Sequence, residues 1–179
     1  MNSRRELNHL IVIGGGVIET HEESYYVKAA VARYLNELAT YFPQVSFIGV
    51  KNSGARQYTT KLDSEIIKPI PYTIKTLLFI FIGLFIKMLR SSKKNTAVLL
   101  YTPQMPLLPI MPFLRLLSSR FIVYVAGDWI EIAEELKLRR KGWRVPMDNA
   151  SVTFPLRWAD AVLVRGAKLL KQVKRYNSR

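Results

Sequence analysis

The chain contains no cysteine, which excludes a disulfide framework and any thiolate metal site. With only two histidines in 179 residues, a His-rich zinc centre is not expected either, so no metal is assigned to the functional site. Acids are scarce: 13 Asp and Glu stand against 27 Lys and Arg, for a formal charge of +14. A domain this basic meets something anionic, such as nucleic acid, a phospholipid face or a phosphorylated substrate. Long apolar runs are missing too. After Arg4 and Arg5 the only apolar stretch is Leu10 to Ile13 before glycines begin, shorter than the about 7–15 residues of a secretory h-region. The most apolar segment, TLLFIFIGLFI from Thr76 to Ile86, falls below the about 20 residues a spanning helix needs. These absences together point to a cytoplasmic protein, peripheral at most to a membrane.

What is present is the material of one globular domain. At 49% hydrophobic residues the chain can bury a core, and its length suits one domain of about 100–200 residues. Strand-like runs at 10–13, 45–50, 97–101, 121–125 and 161–164 alternate with helix-like segments. That alternation predicts an α/β domain, Rossmann-like, with a parallel sheet flanked by helices. From Lys28 to Phe42, Val31, Tyr34, Leu35 and Leu38 recur at helical spacing, and Pro43 ends the segment. A polar loop is expected from Asn52 to about Lys68, with Pro69 and Pro71 giving extended chain before an apolar helix over about 72–89. Pro103, Pro106, Pro109 and Pro112 allow only an irregular helix reaching about Ser118. Further helices are expected over 130–140, from a Ser151 cap to Trp158, and over 167–176, with a loop over 143–149.

Folds of this class place their chemistry at the carboxyl ends of the strands. Gly14-Gly15-Gly16 follows the first strand, where residues without a Cβ let the backbone turn sharply and approach a phosphate or sugar. The dinucleotide fingerprint needs another glycine at position 19; Glu19 stands there, which argues against a nicotinamide cofactor. His21 offers an imidazole for general-base work or a sugar hydroxyl. Asp128 and Trp129 follow the fourth strand, pairing a carboxylate for hydroxyls with an aromatic face for a sugar ring; Asp128 also suits the cap of the following helix. Arg165, after the last strand, suits a phosphate. Basic residues cluster at Lys87, Arg90, Lys93 and Lys94, again from Lys137 to Arg144, and again from Lys168 to Arg179. The first cluster follows the apolar helix, a pattern suited to an anionic leaflet.

In order and spacing, IVIGGG at 11–16, the helix over 28–42, VYVAGDW at 123–129 and WADAVLVRG at 158–166 resemble the amino-terminal, acceptor-side half of family 4-like glycosyltransferases, which have two Rossmann-like domains (the GT-B fold). The resemblance spans nearly the whole chain. It implies a hexosyltransferase-type enzyme, retaining in mechanism, moving a sugar from a nucleotide-sugar donor to a lipid-linked or polysaccharide acceptor. By position it puts Gly14 to Gly16 near the donor phosphates. Many members carry a histidine after the fourth strand, where this chain reads Gly127-Asp128, so only the location carries over. The donor-binding domain, with its paired glutamates seven residues apart, has no counterpart in this sequence. The resemblance therefore implies one domain over 1–179 that needs a separate donor-binding domain or subunit, and no cofactor beyond the nucleotide sugar. A non-catalytic membrane-docking subunit that recruits such a partner fits the same residues. A nucleic-acid reader does not: the aromatics are not interleaved with the basic clusters, and no reader motif occurs.

Overall fold

A computed structural model describes residues 7–52, 57–73, 75–76, 79–80, 82–83, 95–125, 145–165 and 167–176. The fold is α/β, a mixed and mostly parallel sheet flanked by helices, compatible with a Rossmann-like domain. The strands are β1 (His9–His21), β2 (Ser24–Val27), β3 (Gln44–Asn52), β4 (Thr60–Lys61), β5 (Ile67–Tyr72), β6 (Thr96–Thr102), β7 (Arg120–Val125) and β8 (Ala161–Val164). Six are joined by parallel pairings in the order β5-β3-β1-β6-β7-β8. The chain builds outward from β1 through β3 to β5, then crosses back to β6 on the other side of β1. Adjacent β1 and β6 therefore flank the point where the build direction reverses.

The helices are α1 (Ala29–Tyr41), α2 (Met111–Leu117), α3 (Val145–Trp158) and α4 (Ala167–Val173), with a 3₁₀ segment at Met105–Ile110. Successive strand side chains point to opposite faces, and the core divides accordingly. Leu10, Val12, Val45 and Phe47 pack with Ala32 and Leu35 of α1. Ile11, Ile13, Val98, Leu100 and Val123 face the other way, against Met111, Leu114, Val152, Leu156 and Leu169 of α2, α3 and α4. Both clusters are closed by aliphatic side chains with essentially no exposure, each burial stabilising the fold by about 1.5–3 kcal/mol.

Three features depart from the sequence reading. The first strand does not stop at the glycines: β1 runs on to His21 and turns back into β2, which pairs antiparallel with it and with β4. The sheet is therefore mixed rather than wholly parallel. Pro69 and Pro71 lie inside β5, opposite Phe47 and Gly49. This is tolerated because β5 is an edge strand, where a missing N–H breaks no ladder. Ser151 is not a cap: α3 begins at Val145, covering part of the expected loop, and the buried Ser151 hydroxyl donates to the Asp148 carbonyl at 2.7 Å. Lys75, Thr76, Phe79, Ile80, Ile82 and Gly83 are helical as expected, whereas the basic cluster over 87–94 and the expected helix over 130–140 lie outside the described residues. No helix among the described residues is long and apolar enough to cross a membrane.

The amino-terminal edge of the sheet is tied down by polar contacts. The His9 ring is 2.9 Å from the Ser46 hydroxyl. Asp160 accepts the Phe121 N–H at 2.8 Å and pairs with Arg115 at 3.2 Å.

Candidate functional site

The site originates in a defect in β1. Ile13 pairs with Ile48 and Val17 with Val50, so four steps along β1 face two along β3. The surplus is taken up by the glycines. Gly14 and Gly15 stand at φ of +80° and +78°, a left-handed conformation costing an ordinary L residue roughly 1–2 kcal/mol. Pairing of β1 with β6 ends at Ile13 and Leu100, while β6 stays on β7 as far as Thr102 and Val125. Past the glycines β1 thus leaves β6, and a hollow opens between them.

That hollow measures about 350 Å³. Its rim is formed by Gly14, Gly15, Tyr34, Tyr101, Tyr124 and Arg165, over a floor of Val12, Leu35 and Phe47. Tyr101 and Tyr124 are the penultimate residues of β6 and β7 and pair directly across the sheet. Their rings stand 4.7 Å apart, and Tyr34 of α1 meets Tyr101 edge-on at 6.0 Å. A Cβ on Gly15 would lie 2.7 Å from the Tyr101 ring, and one on Gly14 would lie 2.8 Å from the Gln104 amide nitrogen. Conformation favours glycine at both positions, and space adds to this at Gly15, where the obstacle is a ring; the Gln104 side chain facing Gly14 can move aside.

Burial pushes the Tyr101 hydroxyl well above its ordinary value, and its hydrogen bond to Tyr34 and the nearby phenols add to the shift. Burial also raises Tyr34, although its bond with Tyr101 opposes this. Both phenols stay protonated at neutral pH and act as hydrogen-bonding groups rather than bases. Arg165 is exposed and follows β8 directly. Among the described residues lining the hollow none carries a carboxylate or imidazole. The described walls can therefore hold and orient an anionic ligand that carries a stackable ring. For proton transfer the described walls offer phenols and neither a carboxylate nor an imidazole.

The residues expected from sequence separate as follows. Gly14, Gly15 and Arg165 come together around this one hollow. Gly16 does not line it: a Cβ there would press on Phe47 and Val31 at 3.1 and 3.2 Å, so its smallness serves α1 packing. His21 sits at the β1–β2 hairpin, paired with Ser24, and is not among the lining residues. Asp128 and Trp129 lie outside the described residues. Among the described residues no group of three or more His, Asp or Glu side chains is placed to hold a metal ion.

Two features went unread. The tyrosines look like ordinary strand and helix residues in sequence; the available signal was that Tyr101 and Tyr124 both stand one residue before the carboxyl end of adjacent strands. The other is Glu19. Its fully buried carboxylate accepts Asn52 Nδ2 at 2.8 Å and the backbone N–H groups of Gln57 and Tyr58 at 3.0 Å each. Burial alone would raise its pKa, but these donors and the nearby His21 outweigh that and hold it below the ordinary carboxylate value. The His21 Nε2, itself buried, stands 3.9 Å from this carboxylate. The group ties β1, the end of β3 and the 57–58 segment together.

No protein-family model matches the chain, and the curated proteins contain no match to it.

Proposed function

We propose that this domain is the acceptor-side half of a glycosyltransferase, with a Rossmann-like fold. In this reading it helps to move a sugar from a nucleotide-sugar donor to a lipid-linked or polysaccharide acceptor. The observation that carries the reading is the tyrosine-lined hollow at the carboxyl edge of the sheet, beside the point where strand order reverses. Counted along the chain, the parallel strands follow the order 3-2-1-4-5-6, and ligands of such sheets bind in that crevice. Aromatic faces and phenol hydroxyls suit a sugar ring. Arg165 suits a phosphate, and no acid on the described walls opposes one. A glycosyl diphosphate on a lipid carrier presents both groups. The donor would be held by a second domain or subunit, and Asp128 and Trp129, which follow β7 in sequence, are the proposed contributors from outside the described residues.

The test is a titration with a short-chain prenyl-diphosphate-linked sugar, read by ligand-observed NMR, with a free sugar and a simple prenyl diphosphate as controls. Saturation transfer to the sugar protons is expected. Arg165→Gln should weaken binding about tenfold, as expected for loss of one charge-assisted contact, and leave the melting temperature unchanged. Absence of binding by well-folded protein, or equal binding by the Arg165 variant, overturns the assignment of the hollow.

A further inference from the structure

The groups assigned so far to ring and phosphate do not choose between sugars. An aromatic face takes a ring whatever the arrangement of its hydroxyls. A guanidinium at Arg165 meets a phosphate and is likewise blind to the sugar. Epimers differ in where a hydroxyl points, so telling them apart takes a directional group that both donates and accepts. Tyr34 and Tyr101 are bonded to each other, which engages part of their capacity.

A group of that kind stands beside the rim. From Pro103 to Leu114 the chain is built of proline, aliphatic, methionine and phenylalanine residues, and Gln104 is its single polar side chain. Gln104 lies two residues beyond β6. Its amide rests on Gly14, which belongs to the rim of the hollow: a Cβ on Gly14 would lie 2.8 Å from the amide nitrogen, 3.1 Å from Cδ and 3.3 Å from Cγ. The backbone on either side is held. The Thr102 hydroxyl donates to the Tyr124 carbonyl at 3.3 Å, and the Gln104 carbonyl accepts the N–H of the fully buried Leu107 at 3.0 Å. The side chain is only half-buried, and among the described residues its amide has no hydrogen-bond partner. Two N–H donors and a carbonyl acceptor are therefore unengaged, on a fixed stretch of backbone next to the Tyr101 and Tyr124 rings.

From this we propose that Gln104 is a specificity-determining residue of the hollow, whose side-chain amide reads the hydroxyl arrangement of the bound sugar. The proposal rests on the transferase reading for its ligand. It assigns the choice of sugar to Gln104 and the hold on the diphosphate to Arg165. The two residues therefore fail differently: loss of the guanidinium weakens every diphosphate, whereas loss of the amide weakens only the sugars whose hydroxyls it meets.

The full-length chain is titrated with short-chain prenyl diphosphates carrying glucose, galactose or mannose, and with the sugar-free prenyl diphosphate. Wild type is expected to bind the best of the three sugars about five- to tenfold more tightly than the worst, the discrimination one hydrogen bond supplies. Gln104→Met, close in size, and Gln104→Ala, which leaves space, should each bring that ratio within about twofold. Melting temperature and affinity for the sugar-free diphosphate should stay at wild-type values. Variants that keep the wild-type ratio overturn the proposal, as does a wild type that binds all three sugars alike. So does an equal weakening of the sugar-free diphosphate, which would make Gln104 a general support of the hollow. Failure of well-folded wild type to bind any of the diphosphates overturns the transferase reading itself, and the choice of sugar falls with it.

Discussion

Glu19 and Gly15 lie four residues apart on the same strand, yet they belong to opposite kinds of structure. Around Glu19 a buried charge has two backbone donors and one amide, and the group is closed. Around Gly15 the backbone takes a left-handed turn that glycine adopts freely, two phenols stay protonated and an exposed guanidinium lies at the rim of the hollow. A satisfied polar network rigidifies; a concave volume lined by aromatic and polar groups is the ordinary setting of a ligand site. The buried carboxylate would be the obvious catalytic candidate by composition alone, but its donors join three segments of the fold, and the proposed recognition falls to residues without unusual charge.

Substitutions can separate the two. Glu19→Leu should cause the largest change, a drop in melting temperature exceeding that of any single substitution in the hollow, because Asn52 and two backbone N–H groups lose their acceptor. At a temperature where the variant remains folded, its affinity for the prenyl-diphosphate sugar should be close to wild type. Gly15→Ala should do the reverse: a modest loss of about 1–2 kcal/mol from the left-handed backbone, with binding reduced tenfold or more as the Tyr101 ring is displaced. Thermal melts and the same titration check both, and a variant that moves both readouts equally would erase the distinction.

The smallest effect is one of pH. Glu19 in the folded protein lies below its ordinary value of 4.5, so the folded state binds that proton less tightly than the unfolded chain. Its contribution is complete above the ordinary value and is lost as pH falls from there through the lower folded value. Melting temperatures followed from neutral pH to about pH 3 should decline less steeply in Glu19→Gln than in wild type. Parallel curves would remove the carboxylate from the account of acid sensitivity.

Strands built from uninterrupted apolar residues, such as 97–101 and 121–125, were legible because short buried runs bounded by turn signals have few other uses. The course of β1 beyond Ile13 was not. Three consecutive glycines ordinarily mark the end of a strand, and only pairing with β3 and β2, which is non-local, carries this one through. The same cause hid β5, whose prolines are acceptable only because of its edge position. The start of α3 was placed late because Ser151 has a capping residue's chemistry, while its hydroxyl is used within the helix. For the site, Gly14, Gly15 and Arg165 could be picked out because each follows a strand; the tyrosines that give the hollow its chemistry could not, since apolar packing and ligand contact ask for the same residue type at those positions.

The glycine run also acts as a spacer whose length has parity. Its two surplus residues leave Ile18 on the α1 side with Leu10 and Val12, because side chains alternate with a period of two. Deleting one glycine would invert everything beyond it, turning Glu19 toward the α1 core and Ile18 toward its donors. Deleting two would restore the facing but straighten the strand and shut the cavity. The facing of β1 beyond the glycines is thus tied to the parity of the run, and the opening of the hollow to its length.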